Sequence, residues 1–255
     1  MQRVIFLAYG SFAYLCFLGT FLYAIGFVWN VGVPKSIDSG PQSPLPTAIL
    51  INSVLLGLFA VQHTIMARPQ FKVMWTRIVP KPIERSTFVL ATCVVLNLMY
   101  WQWRPITSTL WHMEESALRL LLFSVSGLGW LIVLYASFLI DHFYLFGLRQ
   151  VWLHFRGQAY IHPAFKKPPL YRLVRNPLML GFLIAFWATP DMTGGHLLFC
   201  IMTTGYIFVG ITFEERDLSS ILGADYRDYR ERTPMIIPFL RKGAERALEA
   251  DSGAN

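Results

Sequence analysis

Long apolar runs separated by short polar segments organise this chain. Val4–Trp29 is 26 residues without a charge, and a helix needs about 20 apolar residues to cross roughly 30 Å of hydrocarbon. The run is too long for the apolar core of a signal peptide and no small-residue cleavage site follows, so a retained helix is expected. Leu45–Ala67, interrupted only by Asn52, Gln62 and His63, predicts a second span; Ser86–Trp103 predicts a third and Leu120–Ile140 a fourth. The last apolar region, Pro177–Phe213, is broken by Pro190–Asp191 and Gly194–Gly195. Its first part, Pro177–Pro190, is 14 residues, or roughly 21 Å at helical rise. That is short for a span: it starts earlier, near Tyr171, or forms a tight hairpin with His196–Phe213. The pattern predicts an all-α, polytopic integral membrane protein with about five to six transmembrane helices and a C-terminal helical hairpin.

Composition agrees and narrows the classes. Hydrophobic residues make up 55% of the 255 positions and charged residues 15%, where about 25% charged is ordinary for a soluble domain. A disordered chain, a coiled coil and an ordinary soluble globule are excluded. The length suits one membrane domain over 1–255: four helices in 1–140, then loop, hairpin and acidic motif in 141–240, then a polar tail over 241–255. Cys16, Cys93 and Cys200 each sit in an apolar run without metal or disulfide spacing. No metal spacing exists among the six histidines either.

The net charge of +7 suggests a nucleic-acid partner only until the cations are placed. Five lie in the 67–85 loop, six in 141–176, seven after Phe213, and Arg3 adds one; Lys35, Arg104 and Arg119 complete the 22. Six passes put those nineteen on one side, which predicts that both termini are cytoplasmic, with no nucleic-acid role for the charge.

Polar chemistry gathers on that basic side. The 141–176 loop holds Asp141-His142-Phe143-Tyr144, Arg149, His162 and Tyr171-Arg172-Leu173-Val174-Arg175-Asn176-Pro177. Beyond Phe213 come Glu214-Glu215-Arg216-Asp217-Leu218, then Gly223, Tyr226, Tyr229 and Pro234. Paired carboxylates at the mouth of an apolar helix are costly unless paired or hydrated. On residue types alone they equally well end the last helix among lipid headgroups.

The run Arg175-Asn176-Pro177-Leu178-Met179-Leu180-Gly181, an apolar hairpin, Glu214-Glu215-x-x-Leu218 and Tyr226-x-x-Tyr229 resembles a membrane methyltransferase superfamily. It includes the isoprenylcysteine carboxyl methyltransferases, the phospholipid methyltransferases and the NnrU-type proteins. Their pattern is Arg-His-Pro-x-Tyr-x-Gly, a hairpin, Glu-Glu-x-x-Leu and Tyr-x-x-Tyr. A resemblance over nearly the whole chain is to the methanethiol S-methyltransferases. It is carried by Phe21–Phe27, Val33–Asp38, Gln62–Pro69, Glu84–Thr87, Trp103–Pro105 and Phe146–Trp152. It implies methyl transfer from S-adenosyl-L-methionine to a small volatile thiol, methanethiol, giving dimethyl sulfide, in a bacterial inner membrane. Alternatives are another small thiol, a selenol or sulfide as acceptor, or a non-enzymatic NnrU-type protein. A transporter fits less well, since no charge lies at mid-depth.

Carried over by position, the resemblance implies cofactor contacts from His162, Tyr171, Arg175, Asn176, Pro177, Leu180, Gly181, Glu214 and Glu215. Glu214 would accept hydrogen bonds from ribose hydroxyls or the amino group, whereas Glu215, about 100° round the helix, is equally suited to pair with Arg175 or Arg172. Gly181 either admits the ligand to the helix backbone or packs against a neighbouring helix. A thiol is a poor nucleophile until deprotonated, so a base or a positive pocket is needed. His142, Arg149 and Tyr144 are the catalytic candidates, with His63 ranked lower and His112 and His196 placed on the far side. Phe143, Tyr144 and Trp187 would line the acceptor pocket. The chain departs from the pattern at Asn176, where the superfamily has histidine, and at Met179-Leu180, where it has tyrosine. Gly210 stands where the isoprenylcysteine enzymes carry an arginine, which argues against a carboxylate acceptor.

Overall fold

In the computed structural model the described residues are 1–159 and 167–238. Helices α1 (Gln2–Trp29), α2 (Leu45–Ala67), α3 (Pro69–Trp75) and α4 (Lys81–Gln102) are followed by a short strand, β1 (Thr109–His112). Then come α5 (Ser116–Ile140), α6 (His142–Leu145), α7 (Leu148–Phe155), α8 (Pro169–Leu173) and α9 (Pro177–Trp187). A second strand, β2 (Asp191–Thr193), precedes α10 (Gly194–Leu222) and α11 (Ala224–Arg232). Proline stands in the first two positions of α2, α3, α4, α8 and α9, where its missing N–H would be unpaired in any case.

Among the described residues five helices, α1, α2, α4, α5 and α10, are long and apolar enough to cross a membrane. α9 has only 11 residues, and extended segments at both ends carry it between the same two faces. Large apolar side chains point outward along these helices, Leu15 and Leu22 at 65% exposure and Leu131 at 63%. In water that would be an aggregation surface; in a bilayer it is the lipid contact. The buried core joins Phe27 of α1, Leu55 and Leu56 of α2, Met99 and Tyr100 of α4, Trp130 of α5, Ala185 of α9 and Phe199 of α10.

One face is tied together by the connections 30–44, 103–115 and 188–193. The Trp103 indole donates to Ile37 O (2.9 Å), and Asn52, the polar interruption of α2, exchanges two hydrogen bonds with the Arg104 backbone. β1 and β2 pair antiparallel, placing His112 opposite Asp191. Arg119 grips Asp191 through two 2.8 Å bonds, and Thr193 donates to Asp38 at 2.5 Å. This two-stranded ladder is absent from the sequence expectation, because four- and three-residue strands leave no periodic signal. The opposite face gathers the N-terminus, the 68–80 segment, α6 to α8 and α11, and with them most of the chain's cations.

α5 and α9 cross at their backbones. A Cβ on Gly181 would lie 2.8 Å from Gly129 O and 2.9 Å from Val133 N; one on Gly129 would lie 2.5 Å from Ala185 N. The Ser126 hydroxyl donates to Ala185 O across this contact (2.7 Å). Gly181 therefore serves helix packing.

Candidate active site

The adjacent glutamates of α10 have opposite surroundings. Glu215 is buried at 4% exposure, and its two carboxylate oxygens take Arg175 Nε and Nη2 at 2.7 and 3.1 Å. Such a bidentate pair is the strong form of an ion pair. Arg175 Nη1 also donates to the Arg230 and Thr233 carbonyls, while the backbone N–H groups of Arg175 and Asn176 donate to Pro234 O and Met235 O. The Asn176 amide spends its donor on Glu215 (3.4 Å) and Met235 O (3.3 Å). Arg175, Asn176 and Glu215 thus form a bracket that fastens the segment after α11 to the start of α9. These contacts give the three a supporting role beside the cofactor contacts that the resemblance implies, and they leave the Asn176 side-chain carbonyl oxygen without a hydrogen bond among the described residues.

Glu214 is exposed and makes no hydrogen bond or ion pair among the described residues. It is surrounded nonetheless: Arg68 at the junction of α2 and α3 and Arg85 on α4 are the nearest cations, and Tyr171 of α8 lies beside it. Burial, and then the negative charge of Glu214, hold the Tyr171 hydroxyl well above the ordinary tyrosine range. Burial likewise raises Tyr229, to about 12; its hydroxyl donates to Tyr171 O at 2.5 Å, fixing α8 to α11. Pro177 is fully buried as the first residue of α9, and Leu180 packs against Ile207, Ile211 and Ile236. His162 lies outside the described residues.

Arg68 and Arg85 were counted at the sequence level only for orientation, yet they frame Glu214. Arg68 pairs with Asp217 (2.9 Å) and donates to Thr64 O. Arg85 Nε donates to Leu145 O at 2.7 Å, and its guanidinium lies 4.8 Å from the Phe88 ring centre. The signal that could have found them was present: both fall inside segments that carry the family resemblance. Tyr206, two turns before Glu214 on α10 and near Arg68, had no such signal.

The three catalytic candidates sit on α6 and α7. His142 is 3% exposed, with Nδ1 bonded to the Ser137 hydroxyl (2.8 Å) and Nε2 to the Tyr14 hydroxyl (2.9 Å). Its ring stacks on Phe138 at 4.3 Å, and burial lowers its pKa from the ordinary value. Both nitrogens being engaged, the ring offers no free lone pair to a thiol. Arg149 is paired with Asp141, whose other oxygen caps α6 by accepting from Tyr144 N–H (3.1 Å). With Leu7, Phe143 and Trp152 this pair lines a groove of about 610 Å³ between α1 and α7. Gly147, at φ +86°, makes the turn between α6 and α7, where a Cβ would lie 2.7 Å from Ser86 N. Trp187 does not join Phe143 and Tyr144: it bonds Thr204 two residues beyond the level of Ser126, roughly 20 Å back along α5. Among the described residues no group of three or more His, Cys, Asp or Glu is gathered as a metal site would need.

No protein-family model matches the chain, and no solved structure does. It is 52% identical to the methanethiol S-methyltransferase of Mycobacterium tuberculosis, over 94% of its own length and 98% of that protein. It is 50% identical to the methanethiol S-methyltransferase of Crocosphaera subtropica, over 95% of each. A more distant likeness, 29% over 64% of this chain and 65% of the other, is to the nurim of Mus musculus. At such identity over almost the full length of both bacterial proteins, the chain belongs to the methanethiol S-methyltransferase family.

Proposed function

We propose that the protein transfers the methyl group of S-adenosylmethionine to methanethiol, forming dimethyl sulfide and S-adenosylhomocysteine, as the names of its bacterial relatives imply. The observation that carries this reading is the division of labour between the two glutamates. One is consumed by an internal arginine bracket, and its neighbour is left as an open, unpartnered carboxylate among Tyr171, Arg68 and Arg85.

That donor set fits the cofactor. Glu214 is suited to accept from ribose hydroxyls or an ammonium group, the Tyr171 hydroxyl stays protonated and able to donate, and the two arginines suit a carboxylate. When bound, S-adenosylmethionine supplies an electrophilic methyl group on a positively charged sulfur. The chain's own task is to hold the acceptor in line, exclude water and favour the thiolate. A small alkyl thiol has a pKa of about 10, above that of cysteine, so Arg68 and Arg85 serve by placing positive charge where the thiolate forms. His142, Tyr144 and Arg149 serve as positioning residues for the α6 segment, whose Leu145 carbonyl holds Arg85. The whole chain acts as one membrane domain. By the positive-inside rule the face carrying Glu214 is cytoplasmic, in an inner membrane.

The test uses detergent-purified protein with S-adenosylmethionine and methanethiol in a sealed vial, following headspace dimethyl sulfide by gas chromatography. Product is expected from the wild type and not from Glu214→Gln at limiting cofactor. Absence of product from wild type that still binds S-adenosylhomocysteine would reject the acceptor, and absence of both would reject the enzyme.

A further inference from the structure

α2 and α10 enclose a feature that the cofactor contacts do not use. Gly57, Phe59 and Ala60 on one helix and Met202, Thr203 and Tyr206 on the other leave a cavity of about 50 Å³. It is chemically apolar, because the Thr203 hydroxyl is already spent on the Phe199 and Cys200 carbonyls at 2.6 and 3.2 Å. A dry apolar cavity of about 150 Å³ takes benzene, so a third of that volume suits a guest of two heavy atoms.

His63 packs against two of its lining residues. The ring centre is 5.4 Å from Phe59 and 6.4 Å from Tyr206, both lining residues. Nδ1 faces the Thr92 hydroxyl at 3.5 Å. Nε2 has no hydrogen-bond partner among the described residues. The charged and titratable groups around the ring are Arg68 next to its own helix, Arg85 on α4 and Tyr206 on α10. The Phe88 ring touches both His63 (4.9 Å) and the Arg85 guanidinium (4.8 Å). Glu214 lies two turns from Tyr206 along α10, about 12 Å.

We propose that this cavity is the acceptor pocket and that His63 is the base. The thiol's methyl group fills the cavity, its sulfur points toward the Glu214 side, and Nε2 takes its proton. This deepens the methyltransferase reading and rests on it. The S–H electron pair stays on the acceptor sulfur and forms the new S–CH₃ bond; the donor's S–CH₃ pair leaves with S-adenosylhomocysteine; the proton passes from His63 to water after product release. The volume then explains a preference for the smallest alkyl thiol.

Two variants and one labelling experiment test it. A Cβ at Gly57 would meet nothing within 4 Å, so Gly57→Val fills the cavity without disturbing the backbone. Its KM for methanethiol is expected to rise at least tenfold, with S-adenosylhomocysteine affinity by calorimetry changed less than threefold. His63→Gln is expected to lose about 100-fold in kcat at pH 7, the lower end of general-base contributions. Its residual rate should climb tenfold per pH unit toward the thiol pKa, and hydrogen sulfide, smaller and more acidic than methanethiol, should lose far less. In cofactor-free protein, diethyl pyrocarbonate should modify His63 but not His142 by mass spectrometry, and S-adenosylhomocysteine should shield it. Wild-type kinetics and pH profile in His63→Gln, or an unchanged KM in Gly57→Val, overturn the pocket while the methyltransferase stands. A wild type that methylates no thiol overturns both.

Discussion

Glu214 and Glu215 are chemically identical and adjacent, and their fates differ only because successive helical residues point about 100° apart. Their variants should therefore separate cleanly. Glu214→Gln removes a charge-assisted contact of about 1.5–3 kcal/mol, roughly 10- to 150-fold in cofactor affinity, with an unchanged melting temperature. Glu215→Gln leaves Arg175, 8% exposed in its side chain, without its counter-ion; breaking such a pair costs about 3–5 kcal/mol, seen as a lowered melting temperature in detergent. An unaltered melt in Glu215→Gln would rule out the bracket. His142 gives a pH prediction. Burial lowers its folded pKa, whereas the unfolded chain protonates near pH 6.5. Below about 6.5 the unfolded state binds more protons, so stability falls as the pH drops toward the folded pKa. Melts at pH 8, 6.5 and 5 should show that slope in wild type and a flatter one in His142→Gln. Asp141 holds a backbone uncommon for non-glycine residues, at φ 152°, while its side chain caps α6.

At the scale of elements, glycines that look alike in the chain do different work. Gly181→Ala pushes a methyl into the backbone of α5 at 2.8–2.9 Å. The expected cost is about 1–3 kcal/mol, with a lower melting temperature and displacement of the α9 start that carries the bracket. Gly57→Ala, in open space on α2, should leave the melt unchanged or raise it by its better helix propensity, so the pair controls for that term. Equal melts for both would mean that α5 and α9 do not cross as described. The brevity of α9 follows from the same contact: its ends are held by the Arg175 bracket and by the β2 turn, and extended segments supply the remaining reach.

For the whole molecule, the bracket face lies opposite the β1–β2 face, and the clustering of cations on it predicts that it is cytoplasmic. Single cysteines at Ser39 and Glu231 should report this: a membrane-impermeant maleimide should label Ser39→Cys in intact spheroplasts and Glu231→Cys only after permeabilisation. Labelling of both from outside would overturn the orientation. The membrane class, the order of the long apolar helices and the clustering of cations were legible in the chain, because hydrocarbon thickness and loop charge act on stretches of sequence one after another. The acidic motif and the loop before α9 were legible too, through the resemblance. What packing alone settled was the use of each residue. Arg175 reaches across 40 positions to Glu215, Arg68 across 149 to Asp217, and Gly181 meets the backbone of α5. Side-chain direction at such separations depends on helix rotation and crossing, which no local pattern encodes. Hence composition and periodicity were enough for the bilayer and its long apolar helices, while the helix packing chose which glutamate is open and which is bracketed.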